Sequence, residues 1–309
     1  MMVGVSHSIA VELPTSRVAV AVVCAIAAAF SYGLSNVLQQ HEAEQLPAET
    51  TLRLGFLGQL AHRPRWVIGM AADVGGYVFE AVALGVGTLV LVEPILATSL
   101  LLSLFLGATI NHRVISHSAW IAAVVFAIGI SMFLYLAAPT QGVELAANRS
   151  WTLAAPIIAG VVLICGAAAS RVSGPARAVW LGTAAGILFG TSALLTKAFV
   201  HYLGGGVFNW VPHWEPYALA VTAISGLVFS QSAFQTGALA GAVSAEQLLQ
   251  PLAGVALGIT MLDEHIDLKG TVPTVLLLAA FFAMIWGVLA LARAEHDVVA
   301  IPPTALADG

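Results

Sequence analysis

Apolar runs long enough to cross a lipid bilayer follow one another along almost the whole chain of 309 residues. A helix needs about 20 apolar residues for one crossing, and in lipid only helices and closed barrels satisfy their own backbone polar groups. Hydrophobic residues form 59% of the sequence and charged residues 9%, which is more apolar than a soluble domain requires. The sequence therefore predicts an all-α integral membrane protein with many crossings.

Nine segments are predicted to span the membrane. Two of their boundaries are inferred, because the runs over 66–110 and 215–262 are nearly continuous and each is too long for one crossing. Turns near Gly87 and Gly241 divide these two runs. The predicted spans are about 17–39, 66–86, 88–110, 117–138, 152–171, 178–200, 215–238, 241–262 and 272–293.

A polar residue followed by proline occurs inside two of the runs, as Glu93-Pro94 and Gln250-Pro251. Proline in a helix removes one backbone hydrogen bond and strains another, so a helix kink is predicted at each proline. The prolines are 157 residues apart, and the same offset relates Gly33 to Gly190, Ser35 to Ser192 and Leu38 to Leu195. One offset across separate segments indicates an internal duplication.

The duplication predicts two inverted four-helix repeats joined by a linking helix. The first four predicted spans correspond to the last four, and the segment 152–171 is left between them. Four crossings return the chain to its starting side, so the linking helix starts the second copy from the opposite side. The predicted division is an N-terminal tail at 1–16, a first repeat at 17–138 with an interfacial segment at 41–65, a loop and linking helix at 139–177, a second repeat at 178–293 and a disordered tail at 294–309.

Basic residues set the predicted orientation, because loops that face the cytoplasm carry an excess of Lys and Arg. Seven fall on one side of the nine spans, namely Arg53, Arg63, Arg65, Arg113, Arg171, Arg177 and Arg293. The other side carries Arg17, Arg149 and Lys269. The chain is therefore predicted to lie in the cytoplasmic membrane with its N-terminus outside and its C-terminus in the cytoplasm.

Charge and motifs also limit the partners. A net charge of −5 with only 11 Lys and Arg argues against a nucleic-acid partner. The sequence contains no GxSxG, P-loop or HExxH motif, so neither an enzyme nor a cofactor is predicted. The expected partners are the lipid bilayer and a small-molecule or ion substrate, and the oligomeric state is left open, a homodimer included.

Ionisable residues within the spans are the first candidate site, because such residues are costly in lipid and mark functional sites by default. Asp73 and Glu80 are seven residues apart and project from nearly one helix face. We predict that Glu80 and Glu93 line the outer half of a pathway and bind a cation or a proton, with Lys197 as their counter-charge. The alternatives are a structural ion pair of Glu80 with Lys197, or a Glu93 that lies among the lipid headgroups.

The second copy contributes mainly amides to this predicted pathway, and inversion relates Gln250 to Glu93. The alternative is that these amides only hold helices together. The polar candidates of the inner half are Asn36, Gln39, Gln231, Gln235, Glu246, Gln247 and Gln250. The loop residues Asp263, Glu264 and His265, with Asp267, are interpreted as a solvated acidic loop, and the alternative is a loop that gathers cations.

Three segments, over 32–40, 83–94 and 189–197, resemble motifs of the drug/metabolite transporter superfamily. The nearest resemblance is to its NIPA-type magnesium-transporter branch, which shares the four-plus-one-plus-four arrangement. The resemblance implies carrier-type transport and leaves the substrate open. If the substrate is magnesium, Glu80 and Glu93 are the expected metal ligands, because magnesium prefers oxygen ligands that include one or two carboxylates.

Three functions are therefore carried forward. The first is a secondary transporter that moves a small solute by alternating access, with proton coupling through Glu80 or Glu93. The second is a magnesium or other divalent-cation transporter or channel that uses the same carboxylates. The third is a membrane scaffold that transports nothing, against which the inverted duplication argues.

Overall fold

The computed structural model describes residues 15–43, 60–110, 116–136, 139–140, 142–236, 239–266 and 271–296. Within these residues the helices are α1 Thr15–Ala43, α2 Pro64–Val86, α3 Leu89–Leu96, α4 Ser99–Ile110, α5 His117–Leu136, α6 Asn148–Arg171, α7 Gly174–Gly204, α8 Glu215–Phe234, α9 Leu239–Met261 and α10 Thr271–His296. The strands β1 Pro139–Thr140 and β2 His265–Ile266 pair antiparallel.

Six stretches of the described residues are long and apolar enough to cross a membrane. They are Thr15–Gln39, Pro64–Val86, Leu89–Thr109, Asn148–Arg171, Gly174–Gly204 and Glu215–Phe234, and shorter apolar helices cover His117–Phe133 and Thr271–Gly287. The predicted all-α fold is thereby confirmed, and the six apolar stretches support a membrane protein. Most of the predicted interfacial segment, at 44–59, and most of both tails, at 1–14 and 297–309, lie outside the described residues.

The surface of the bundle is apolar and its interior carries many polar groups. The helix α6, for example, exposes the side chains of Leu153, Ile157, Leu163 and Ile164. Glutamates, amides and hydroxyls are buried between the helices instead. Lipid favours this arrangement, because apolar side chains can face the hydrocarbon while polar groups are covered by protein.

The two proline positions behave differently. The helix α3 ends at Leu96, two residues after Pro94, and α4 begins at Ser99. Within this break the Thr98 hydroxyl donates to the Ile95 carbonyl at 2.6 Å. The helix α9 continues without interruption through Pro251. The predicted disturbance at Pro94 is therefore a full break that side-chain hydrogen bonding helps to satisfy.

Glycine contacts give the relative directions of the helices in the first part of the chain. A Cβ atom on Gly69 would meet Leu38, and one on Gly87 would meet Ala21, so α1 and α2 run antiparallel. Gly33 lies against Leu102 and Gly107 against Val37, so α1 and α4 run parallel.

The second part of the chain repeats these directions. A Cβ on Gly182 would meet the backbone of Ala242, and one on Gly190 would meet the backbone of Gln250, so α7 and α9 run parallel. The spacing of small residues lets these helix backbones come close together.

Two further contacts orient the parts relative to each other. Gly254 lies against Glu93 and Gly258 against Leu89, so α3 and α9 run antiparallel. The helices α2 and α7 run parallel, because the Tyr77 and Thr196 hydroxyls lie 3.1 Å apart while Gly85 lies against Val200. The ends of α2 and α7 therefore lie at one end of the bundle, called here the 205–214 end, and Arg63 marks the opposite end, called the Arg63 end.

Candidate functional site

A cavity of about 640 Å³ lies among α1, α2, α3, α7, α8 and α9. Its volume is within the range of about 300–1,000 Å³ that small-molecule sites occupy. Most of the wall is apolar or aromatic, from Val74, Leu96, Phe189, Phe199, Trp210, Tyr217, Leu219, Ile224 and Leu227 among others. The polar lining consists of Tyr32, Asn36, Asp73, Tyr77, Glu80, Glu93, Ser99, Ser192, Glu246, Gln247 and Gln250.

The carboxylate of Glu80 reaches this cavity from α2. The Tyr32 hydroxyl of α1 donates a hydrogen bond to Glu80 Oε2. The Tyr32 ring lies directly over Gly76, where a Cβ would come within 2.8 Å of a ring carbon. The absence of a side chain at Gly76 therefore lets the tyrosine lie flat enough on α2 to reach the glutamate one turn further along.

Asp73 begins a chain of hydrogen bonds that leads from the cavity toward the Arg63 end. The Ser35 hydroxyl donates to Asp73 Oδ1 at 3.2 Å, and Gln39 Nε2 donates to Ser35 Oγ at 2.6 Å. Gln231 Nε2 donates to Gln39 Oε1 at 2.7 Å, and Trp66 Nε1 donates to Gln231 Oε1 at 3.4 Å. We call these five residues the amide chain. They join α1, α2 and α8 between the cavity and the Arg63 end.

Glu93 is the least satisfied polar group of the cavity. Its side chain is 0% exposed, and neither carboxylate oxygen has a hydrogen-bond partner among the described residues. The side chain lies over Gly254 of α9, where a Cβ would come within 2.6 Å of Glu93 Cγ. A buried carboxylate without a partner costs several kcal/mol, on the order of the penalty for an unpaired ion, unless a proton or a cation neutralises it. A proton or a cation at Glu93 would therefore lower the cost of burying this carboxyl group.

Two more cavity groups are incompletely paired. Within the described part of the chain, Glu246 Oε2 has no hydrogen-bond partner, and Asn36 Nδ2 has none either. The neighbouring Gln247 is satisfied, because Ser99 Oγ donates to its Oε1 at 2.9 Å. Open hydrogen-bonding capacity is thus found on both α1 and α9.

Lys197 is not the counter-charge of Glu80 or Glu93, and that prediction is wrong. Its Nζ atom lies 2.7 Å from Glu264 Oε1, and the backbone amides of Leu89 and Val90 also donate to Glu264, at 3.1 and 3.0 Å. Glu264 therefore binds the N-terminus of α3, where carboxylates are favoured because the first helical amides lack partners.

Glu264 is 0% exposed, so interpreting this residue as part of a solvated acidic loop is also wrong. Asp263 adopts a φ of 58°, a left-handed conformation that aspartate tolerates better than most residues. The turn directs Glu264 back over Gly258, where a Cβ would lie 2.7 Å from its Oε2 atom. We call Lys197, Glu264 and the α3 N-terminus the α3 clamp.

The structure brings together most of the predicted site residues. Asn36, Asp73, Glu80, Glu93, Glu246, Gln250 and Pro251 line the cavity with Gln247. Pro94 is buried in α3 next to this wall. Gln39 and Gln231 belong to the amide chain, and Gln235 is buried at the end of α8.

Sequence reasoning missed Tyr32, Tyr77 and the Gly254/Gly258 pair. Tyr32 had a readable signal, because a phenol inside a span needs a hydrogen-bond partner when it is buried. The two glycines had the spacing of a helix-packing motif, but in the structure they make room for the carboxylates of Glu93 and Glu264.

No protein-family model matches this chain, and no solved structure matches it. The chain is similar to an uncharacterized protein of Corynebacterium glutamicum, with 29% identity over 248 residues. This alignment covers 79% of the chain and 85% of the relative.

Proposed function

We propose that this chain is a secondary transporter of the drug/metabolite transporter type that moves a small solute across the cytoplasmic membrane. The observation that carries the proposal is the cavity of about 640 Å³, whose lining includes Glu93, a buried carboxylate with no hydrogen-bond partner among the described residues. A scaffold has no use for such a group, because an unpaired buried carboxylate is destabilising unless a ligand or proton neutralises it.

The directions of the helices support two inverted repeats. In each part the first and third crossings run parallel, as α1 with α4 and α7 with α9. The corresponding helices α3 and α9 run opposite to one another. Inverted repeats with a site between them suit alternating access, in which the repeats tilt around a fixed site.

A local correspondence adds support. The ring of Tyr32 lies on Gly76, and the ring of Phe189, 157 positions after Tyr32, lies on Gly226 in the same way. Two aromatic rings in related positions, each on a glycine of the next helix, are expected if the copies share one packing arrangement.

The carboxylates provide a means of proton coupling. Glu80 and Glu93 are both buried, and both line the cavity. Each is tolerated in an apolar interior when it is protonated or paired with a cation. A proton and a cationic or hydrogen-bonding solute that compete for these groups would be exchanged, because occupancy by one excludes the other.

The amide chain is proposed to close the cavity at one end, so that the structure represents a state closed on that side. It seals the Arg63 end, which is the cytoplasmic end in the orientation predicted from basic residues. Neutral amide bonds between membrane helices contribute only about 0.6 kcal/mol each on average. Such bonds are weak enough to open and re-form in each transport cycle.

Proton movement through reconstituted protein tests the proposal. Liposomes that contain the protein and an internal pH dye are given an acidic interior, and amino acids, nucleosides, organic cations and Mg²⁺ are then added one at a time. A solute that collapses the gradient with the native chain but not with Glu93→Gln supports coupled transport. Uptake of Mg²⁺ without proton movement would instead favour the divalent-cation alternative, and no response to any solute would favour a scaffold.

A further inference from the structure

We infer that the solute is an amphipathic organic cation, with one positive charge on an apolar body, an inference that rests on the proposed transport function. The charge of the cavity is the first step. Four of the lining residues are acidic, namely Asp73, Glu80, Glu93 and Glu246, and none of the described lining residues is Lys, Arg or His. Lys197, which the sequence predicted as the counter-charge of Glu80 and Glu93, pairs with Glu264 in the α3 clamp instead.

Internal partners do not remove this demand for positive charge. Glu80 accepts from Tyr32 and Asp73 accepts from Ser35, so each receives one neutral donor, and Glu246 Oε2 has no partner among the described residues. Glu93 receives none from the described residues. Burial removes the water that would otherwise stabilise the charged Glu93 carboxylate. A cation placed against it would compensate for this lost hydration.

The remaining wall suits an organic body better than a hydrated metal ion. Phe189, Phe199, Trp210 and Tyr217 present aromatic rings, whose faces attract cations within about 6 Å and bind apolar surface. Magnesium retains several waters and needs polar groups around them. No three His, Cys, Asp or Glu side chains among the described residues converge as a metal site does.

The outer border of the cavity is also apolar. Val74 of α2 and Ile224 of α8 line it, and both side chains are more than half exposed, at 57% and 54%. The two helices hardly contact each other along this border, although each packs on α7. An organic cation with an apolar body loses less hydration free energy in passing such residues than a strongly hydrated inorganic ion does.

Matched probes of opposite charge test the inference directly. Tetraphenylphosphonium and tetraphenylborate have nearly the same size and shape, and their binding to the protein in lipid nanodiscs is measured by the shift in melting temperature and by Trp fluorescence. Ligands that bind only the folded state raise the melting temperature. We expect tetraphenylphosphonium to bind at least tenfold more tightly than tetraphenylborate, and more tightly than tetramethylammonium or Mg²⁺. Equal binding of the two large ions, or tighter binding of Mg²⁺, would overturn the inference.

Two variants, each with a matched control variant, keep the test independent of folding. Glu93→Gln should weaken tetraphenylphosphonium binding at least tenfold, while Glu93→Asp, which retains the charge, should stay within a few fold of the native chain. Gly254→Ala should also weaken binding, because its new methyl group displaces Glu93, whereas Gly75→Ala is the matched control, since a Cβ there meets nothing within 4 Å. Unchanged binding in Glu93→Gln would contradict the assigned site.

Failure of the inference and failure of the transport proposal give different results. If tetraphenylphosphonium binds at Glu93 but no solute moves protons in liposomes, the site stands and coupled transport fails. If another solute dissipates the proton gradient through Glu93 while tetraphenylphosphonium does not bind, transport stands and the substrate class is wrong.

Discussion

Two regions that the proposed duplication relates have the same packing and different chemistry. Tyr32 lies on Gly76 and donates to Glu80. Phe189 lies on Gly226 in the second region, without a hydroxyl to donate. One arrangement of ring and glycine thus occurs in both regions, but only in the first does the ring carry a hydroxyl that reaches a carboxylate.

The difference teaches that the fold and the site depend on separate residues. Glycines set how closely the helices approach, and this requirement is the same in both copies. The ionisable groups are costly in lipid wherever they occur, so they are expected only where the function needs them. The first region supplies Asp73, Glu80 and Glu93 to the cavity, and the second supplies Glu246 and the lysine that holds α3 in place.

The largest expected effect comes from Lys197, whose role in the second copy is structural. Lys197→Met leaves Glu264 fully buried without its cation, and breaking a buried pair in this way costs about 3–5 kcal/mol. The melting temperature of the purified protein should fall sharply. The double variant Lys197→Met with Glu264→Gln should recover part of the loss, and equal melting of the single variant and the native chain would contradict the α3 clamp.

A smaller effect on stability and a clear effect on transport are expected when Tyr32 and Glu80 are replaced by the residues found in the second region. There the ring is Phe189, and Ser230 follows Gly226 by four residues, as Glu80 follows Gly76. The double variant Tyr32→Phe with Glu80→Ser keeps the ring on Gly76 and removes the buried acid. We expect proton-coupled transport to fall at least tenfold, about 1.4 kcal/mol in the measured rate ratio, with near-native melting. The reverse result, lower melting with native transport, would assign this pair to structure.

The smallest effect is expected in the amide chain. Gln39→Leu removes the two hydrogen bonds that join Ser35 to Gln231 through Gln39, and at the average of about 0.6 kcal/mol per bond in membranes it should lower stability by about 1.2 kcal/mol. A cysteine introduced at Ala97, which lines the cavity, should react faster in this variant with a water-soluble reagent added at the Arg63 end. Gly75→Ala again serves as a control that should leave accessibility unchanged. Unaltered labelling would show that the chain does not close this end.

Much of the fold could be predicted from the order of apolar residues. Runs such as 17–39 and 178–200 must be helices in lipid, because an unpaired backbone amide there is too costly for any other local structure. The position of Pro94 also indicated where a helix would be disturbed, since proline acts through its own and the adjacent turns. The extent of that disturbance, a break after Leu96 but none after Pro251, depends on neighbours and could not be read locally.

The sequence by itself determined the class of protein, its helices and the unusual buried acids Glu80 and Glu93. Only the tertiary structure decided which polar groups are paired. Lys197 and Glu264 are 67 residues apart, and Glu93 lies on a glycine of another helix. Hydropathy can be read from the residues of one segment. The neutralisation of a buried charge instead depends on groups that different helices bring within a few ångströms.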